Sequence, residues 1–64
     1  MIFNSEKFCT ILAKKQLSIR EVAKRTNIHE SNISKCKTGS QKPNPKTIGK
    51  LAEALEIDAI DLIK

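Results

Sequence analysis

Aromatic residues are scarce in this sequence: it has no tryptophan or tyrosine, and Phe3 and Phe8 are its only phenylalanines. Proteins that bind single strands without sequence preference stack bases on aromatic side chains, so this scarcity argues against that class. No apolar run approaches the roughly 20 residues that a helix needs to span a bilayer. The start, MIFNSEKF, lacks the basic and apolar segments of a signal peptide, and we expect a cytoplasmic protein without a membrane association.

Cysteine and histidine are also few, namely Cys9, Cys36 and His29. Two cysteines build no disulfide framework, and in a reducing cytoplasm they are expected to be free, small apolar residues. We predict neither a metal site nor another cofactor. The sequence lacks three common signs of an enzyme: a pair of acidic residues for a pocket, a glycine-rich phosphate loop, and a Cys–His pair with a third residue to orient it. A chain of 64 residues is also too short to enclose a substrate well. The sequence therefore predicts neither an enzyme nor a site for a small-molecule ligand.

Positive charge is plentiful but unevenly distributed. The formal net charge is +5, and nine of the twelve lysines and arginines lie within residues 14–46, where only Glu21 and Glu30 oppose them. Lysines on a protein surface commonly serve only to keep the helices solvated. Because the charge here is concentrated in one part of the chain, it indicates a polyanionic partner instead.

Local signals predict an all-α fold, a compact domain of five helices over residues 1–64, and nothing in the sequence indicates a strand. Each helix begins after a residue able to accept a hydrogen bond from the first turn, in chain order Asn4, Ser18, His29, Asn44 and Asp58. The first helix directs Phe8, Ile11 and Leu12 inward. The core is predicted to contain Phe8, Ile11, Leu17, Val22, Ala23, Ile28, Ile33, Ile48, Leu51, Ala52, Leu55, Ile57 and Leu62.

The segment LSIREVAKRTNIHESNISKCKTG, residues 17–39, is the most informative part of the chain. Ser18 and Glu21 have the spacing of a capping box. Asn27 tolerates a left-handed backbone and so ends the first helix of the pair sharply. In the second helix, Ile33 and Cys36 face inward at a spacing of three residues. Two short helices joined by a tight turn predict a helix-turn-helix at residues 18–37, whose second helix enters a DNA major groove.

The order of motifs extends this prediction to nearly the whole chain. The set L-S-x-x-E-V-A, then N-I-x-x-S-x-I-S-K, then G, then P-x-x-x-T-I-x-K-L-A-x-A-L, resembles the phage repressor and Cro-like helix-turn-helix family, also called the xenobiotic-response-element family. The resemblance runs from about Phe8 to Ile63. It implies the lambda-repressor-like DNA-binding fold and double-stranded DNA as partner.

The resemblance also assigns contacts with DNA. It places base reading at the start of the third helix, on Glu30, Ser31 and Asn32, with Lys35 one turn later. The chemistry agrees, since Asn bonds adenine, Lys reaches guanine, Ser suits several bases and Glu accepts from cytosine N4. For Glu30, a partner of the helix dipole is an equally good interpretation. Phosphate contacts are expected from the start of helix two and the loop after helix three, through Ser18, Ile19, Arg20, His29, Lys37, Thr38, Ser40 and Lys42.

Three positions depart from the family pattern. Ile19 stands where members often have Gln; we expect an exposed side chain there, able to meet a thymine methyl or a sugar. Leu12 and Lys37 replace an Arg–Glu pair, and because both partners change together no orphan charge is buried. Lys37 is then expected to point outward. Asn27 stands where the turn usually holds Gly, a mild change.

Two functions of different classes remain open. The first is a sequence-specific transcriptional regulator, a repressor or Cro-like switch protein, that binds an inverted-repeat operator as a homodimer. Its dimer interface would include Ile60 and Ile63, because so small a core does not need these two apolar side chains. The alternative is an antitoxin or protein-interaction module that modulates another regulator. A steep salt dependence of binding to random duplex would favour the first, since each neutralised phosphate lowers log affinity by about 0.9 per log salt.

Overall fold

The computed structural model describes residues 2–64, and in this range it contains four α-helices and one 3₁₀ helix. The α-helices are α1 (Ser5–Lys15), α2 (Ile19–Thr26), α3 (Glu30–Thr38) and α4 (Pro45–Leu55), and the 3₁₀ helix is Ala59–Leu62. The described range has no strand, only an isolated antiparallel bridge between Phe3 and Ile63. The predicted all-α class is confirmed. None of the helices in residues 2–64 is long and apolar enough to cross a membrane.

The prediction of a fifth α-helix is wrong, because this segment forms a 3₁₀ turn of four residues. Its hydrogen bonds join residues three apart, as in the bond from Asp61 N to the Asp58 carbonyl at 2.9 Å. The chain must then extend to pair with the amino-terminal segment: Asn4 N donates to the Leu62 carbonyl at 2.7 Å, and Lys64 N to the Ile2 carbonyl at 2.8 Å. These two bonds leave no room for a further helical turn.

The predicted helix caps are confirmed. Each capping side chain accepts a hydrogen bond from a backbone N–H in the first turn of its helix, which satisfies one of the donors that a helix start leaves free. The bonds are Lys7 N to Asn4 Oδ1 (3.1 Å), Glu21 N to Ser18 Oγ (3.1 Å), Ser31 N to His29 Nδ1 (3.1 Å), Thr47 N to Asn44 Oδ1 (2.8 Å) and Ile60 N to Asp58 Oδ1 (3.1 Å).

All four α-helices end at a residue in the left-handed conformation. One of these is predicted, Asn27 with φ of 60°, and a second is Gly39, with φ of 85°, a residue type that adopts this conformation without strain. The other two, Gln16 and Glu56, have φ of 55° and 58° and carry no sequence signal for it. The Gln16 N–H returns to the carbonyls of the last turn of α1, and the Glu56 N–H to those of α4. These bonds stabilise a conformation that is intrinsically unfavourable for a residue with a side chain.

One apolar core holds the helices together. Its fully buried members are mostly those predicted: Phe8, Val22, Ile33, Ile48, Leu51, Ala52, Leu55 and Leu62. Leu12 and Cys36, both expected to face inward, are buried as well. Five further predicted members are only half-buried but pack against this core, namely Ile11, Leu17, Ala23, Ile28 and Ile57. They are half-buried because a domain of this size has much surface for its volume.

Two polar contacts fix the helix-turn-helix on this core. Buried Thr26 donates its hydroxyl proton to the Val22 carbonyl at 2.8 Å, and the same oxygen accepts from Ile28 N at 3.3 Å, on the far side of the turn. Arg25 reaches out of α2 and donates from a terminal nitrogen to the Ala54 carbonyl near the end of α4, at 3.0 Å. The orientation of α2 is therefore set by α4, and α3 follows from α2 through the turn.

Candidate nucleic-acid interface

The start of α3 exposes the residues predicted to read bases. Ile33 and Cys36 are 1% and 3% exposed and seat the helix on the core. Their spacing turns Glu30, Ser31 and Asn32 to solvent at the amino-terminal end, and Lys35 is exposed one turn later. The described structure thus presents on one short helix an acceptor, a hydroxyl, an amide and a cation, which suit base edges in a major groove.

His29 caps α3 through its ring. Nδ1 accepts from Ser31 N at 3.1 Å and lies 2.9 Å from Ser31 Oγ. A nitrogen that accepts a backbone N–H carries no proton, so in this arrangement the Ser31 hydroxyl donates to Nδ1 and the ring N–H is on Nε2. The cap therefore fixes the Ser31 hydroxyl and leaves one ring N–H as a donor on the exposed His29 side chain.

Arg20 and Glu30 form an ion pair between the two helices of the motif. Arg20 Nε lies 3.5 Å from Glu30 Oε1. The sequence predicts Arg20 as a phosphate contact and Glu30 as a base contact, without a link between them. The pair follows from the angle between α2 and α3, which no local signal in the sequence specifies.

The loop after α3 uses its hydroxyl groups internally. Thr38 Oγ1 and Ser40 Oγ are 2.9 Å apart, and both lie within hydrogen-bond distance of the Lys35 carbonyl, at 3.2 and 3.4 Å. Gln41 N donates to the same carbonyl at 3.2 Å. The two hydroxyl groups have one proton each, and both protons are used in these internal hydrogen bonds. A phosphate at this loop would therefore be bound by lysine ammonium groups more readily than by the predicted Thr38 and Ser40 hydroxyl donors.

Asn32 shares a groove with the loop that follows α3. The groove lies between α3 and the start of α4, and His29, Asn32, Gln41, Lys42 and Asn44 are among the residues that line it. Predicted base reader Asn32 and predicted phosphate contact Lys42 are thereby brought together. Gln41 and Asn44 also border Asn32; the sequence predicts the cap at Asn44 but not this proximity.

The start of α2 differs from expectation at Ile19. The prediction of an exposed Ile19 side chain is wrong, because it is half-buried and packs against the core. Its backbone N–H and that of Arg20 lie in the first helical turn, while the Ser18 hydroxyl accepts from Glu21 N. Such first-turn N–H groups have no acceptor within their helix and are suited to bind a phosphate oxygen.

The other family departures behave as expected. Leu12 is 6% exposed and belongs to the core, whereas the Lys37 side chain is exposed. In place of a side-chain ion pair, the Cys9 thiol donates to the Lys37 carbonyl at 3.6 Å and links α1 to α3. No buried polar side-chain atom in the described part of the chain lacks a hydrogen-bond partner.

Both cysteines are free thiols, as predicted. Burial raises the pKa of the Cys36 thiol, so at neutral pH the neutral form fills the space between α3 and the core. Within residues 2–64, no three His, Cys, Asp or Glu side chains are grouped as a metal ion would require.

The predicted dimer residues lie apart from the start of α3, in the carboxy-terminal segment. Ile60 is 65% exposed on the 3₁₀ helix. Ile63 is half-buried, packs against the core and pairs through its backbone with Phe3. Of these two residues, Ile60 is therefore the one that presents a large apolar side chain to solvent.

The model of one protein family, described as the Cro/C1-type HTH DNA-binding domain, matches residues 7–64. This match confirms the resemblance to the phage repressor and Cro-like family. No curated protein and no solved structure matches the chain significantly. The matched range includes the ion pair, the capped start of α3 and the loop that follows it.

Proposed function

The chain belongs to the Cro/C1-type HTH DNA-binding domain family, and we propose that it is a sequence-specific transcriptional regulator acting on double-stranded DNA. The family is one of non-enzymatic DNA-binding regulators, which confirms that the chain is not an enzyme. Under this proposal the protein is cytoplasmic. It represses by occupying promoter DNA, or it competes with another regulator for shared operators as a Cro-like switch protein.

The observation that carries the proposal is the exposed, capped start of α3. Glu30, Ser31 and Asn32 face solvent side by side on a helix that buried Ile33 and Cys36 hold in place. A recognition helix contacts base edges with its amino-terminal residues. We propose these three and Lys35 as the base-reading residues.

Phosphate binding is proposed for the groups on either side of this helix. The candidates are those named from the sequence: Ser18, Ile19, Arg20, His29, Lys37, Thr38, Ser40 and Lys42. The free N–H groups at the start of α2, the ring N–H of His29 and the ammonium groups of Lys37 and Lys42 support this role. The Thr38 and Ser40 hydroxyls must turn outward to take part. The net charge of +5 supplies a general attraction to DNA.

A homodimer on an inverted repeat is the proposed operator complex. A short chain has only a few base contacts, and a second copy one helical turn away doubles them. Ile60, 65% exposed, supports an apolar contact at the carboxy-terminal end. The same exposed side chain also favours the second candidate function, an antitoxin or interaction module that binds another protein.

Selection from a random pool of duplexes tests the proposal. The protein is incubated with the pool at physiological salt, and bound duplexes are amplified and sequenced. We expect an enriched inverted repeat, with half-sites about one helical turn apart. Retention without an enriched sequence, and with a shallow salt dependence, would contradict the proposal and favour the protein-interaction function.

A further inference from the structure

The ion pair between Arg20 and Glu30 joins a residue of α2 to the first residue of the proposed recognition helix. Arg20 Nε lies 3.5 Å from Glu30 Oε1, and the two side chains are 79% and 52% exposed. A pair this exposed contributes little to folding stability. The ion pair is therefore more important for how the two charges interact with a bound nucleic acid than for folding.

Glu30 alone is a poor neighbour for DNA. Its carboxylate would lie close to the phosphates that flank a major groove and would be repelled by them. An arginine at its side compensates this charge. Arg20 uses Nε for the contact, so its two terminal nitrogens, with four N–H donors, remain available for a phosphate. One residue can thus bind the backbone and hold the Glu30 carboxylate at the same time.

The neighbouring residue is held in a comparable way. The Ser31 hydroxyl donates to Nδ1 of His29, at 2.9 Å, so the first two side chains of α3 each contact a residue outside that helix. Arg20, His29 and Glu30 also line one shallow groove between α2 and the start of α3. Both contacts are thus present before DNA is bound, and contacts that preorganise a binding surface lower the entropic cost of binding.

We infer that Arg20 is a specificity-determining residue, which positions the Glu30 carboxylate to accept a hydrogen bond from the N4 amino group of a cytosine. This inference rests on the proposed function. A carboxylate is an acceptor only and suits that donor in the major groove. Phosphate contacts carry no sequence information, so a residue that only bound phosphate would leave base preference unchanged.

The test repeats the duplex selection with R20A, E30A and the double variant. Lys24→Ala is the matched control, because Lys24 lines the same groove, carries the same charge and makes no ion pair in the described part of the chain. Thermal unfolding of each variant checks that the fold is kept. For every protein, binding is then measured to duplexes that differ only at the selected cytosine.

For the wild type we expect a cytosine in each half-site, preferred over other bases by roughly tenfold. R20A and E30A should each reduce this preference to near unity at that position alone. The double variant should lose no more of the cytosine preference than either single variant, because the effects of residues that act as one unit are not additive. Lys24→Ala should weaken all sequences alike and keep the preference.

Two results would overturn the inference while the proposed function stands. In one, R20A weakens every duplex by one common factor and its base preferences match those of the wild type. In the other, E30A changes no preference. If the wild type itself selects no sequence, the proposed function fails and this inference falls with it.

Discussion

Asn32 differs from its two neighbours at the start of α3, because its side chain makes no hydrogen bond within residues 2–64, whereas Glu30 pairs with Arg20 and Ser31 with His29. A free carboxamide has both its donor and its acceptor available for a base. Adenine offers the matching pair of groups in the major groove. Asn32 is therefore the residue whose truncation should report most directly on base reading.

Asn32→Ala is expected to cost about 1–3 kcal/mol of binding free energy on the selected operator and to relax specificity at one base pair. Competition binding with operator variants measures both effects. Ser34→Ala is the matched control, since Ser34 is exposed on the same helix but is not a proposed contact. If Asn32→Ala bound the operator as tightly as the wild type, the recognition surface would be assigned wrongly.

Lys42→Ala should behave differently, because an ammonium group in the loop after α3 is proposed to meet phosphate. We expect weaker binding to operator and random duplex by one common factor. The slope of log affinity against log salt should become shallower by about 0.9. Salt titrations with both duplexes measure this, and Lys50→Ala on α4 serves as the control. A loss confined to the operator would instead mark Lys42 as a base contact.

The sequence was a good guide wherever an interaction joins residues close along the chain. The caps at Asn4, Ser18, His29 and Asn44 connect residues two or three positions apart, and all were predicted. Arg20–Glu30 joins residues of two helices, and Arg25 reaches a carbonyl on α4. These contacts depend on how the helices cross, which is set by the packed core and not by local spacing.

Helix α4 shows the same division within one element. Its cap at Asn44 and its buried residues Ile48, Leu51, Ala52 and Leu55 are predicted correctly from the sequence, because each signal lies in the helix or directly before it. The 3₁₀ segment was misjudged as a fifth helix. What ends it early is the pairing of residues 62–64 with residues 2–4, at opposite ends of the chain.

Gly49 is a weak point of α4. It lies inside the helix, it is exposed, and a Cβ there would have no heavy atom within 4 Å. Gly49→Ala should therefore stabilise the protein by roughly 0.5–1 kcal/mol, because alanine loses less backbone entropy in a helix. Urea unfolding measures the free energy of unfolding.

Gly39 provides the opposite case for the same measurement. Its φ of 85° is a conformation that an alanine rarely adopts, although a Cβ would meet only Ser5 Oγ at 3.5 Å. Gly39→Ala should lower the free energy of unfolding by about 1 kcal/mol through backbone strain alone. If Gly49→Ala and Gly39→Ala changed the free energy of unfolding equally, the different backbone conformations of these two glycines could not be the cause.

The molecule as a whole divides into two regions with different surfaces. Residues 14–46 carry most of the basic side chains and the proposed DNA contacts, whereas residues 47–64 hold Glu53, Glu56, Asp58 and Asp61 against two lysines. The exposed Ile60 lies in the second region. A dimer contact there would avoid bringing the two basic regions together, and repulsion between copies would be small.

Ile60→Asp tests the proposed dimer in full. The side chain is 65% exposed, so the substitution should leave the monomer folded, with an unchanged thermal midpoint. Binding to an isolated half-site should also be unchanged. On the inverted repeat, the variant should lose at least about tenfold in affinity, since two joined copies gain from effective concentration and two separate copies do not. Ile60→Leu keeps the apolar side chain and should bind the repeat like the wild type. If Ile60→Asp still bound the repeat cooperatively, the copies would have to meet through another surface, because a buried carboxylate without a partner is too costly for an apolar contact to persist.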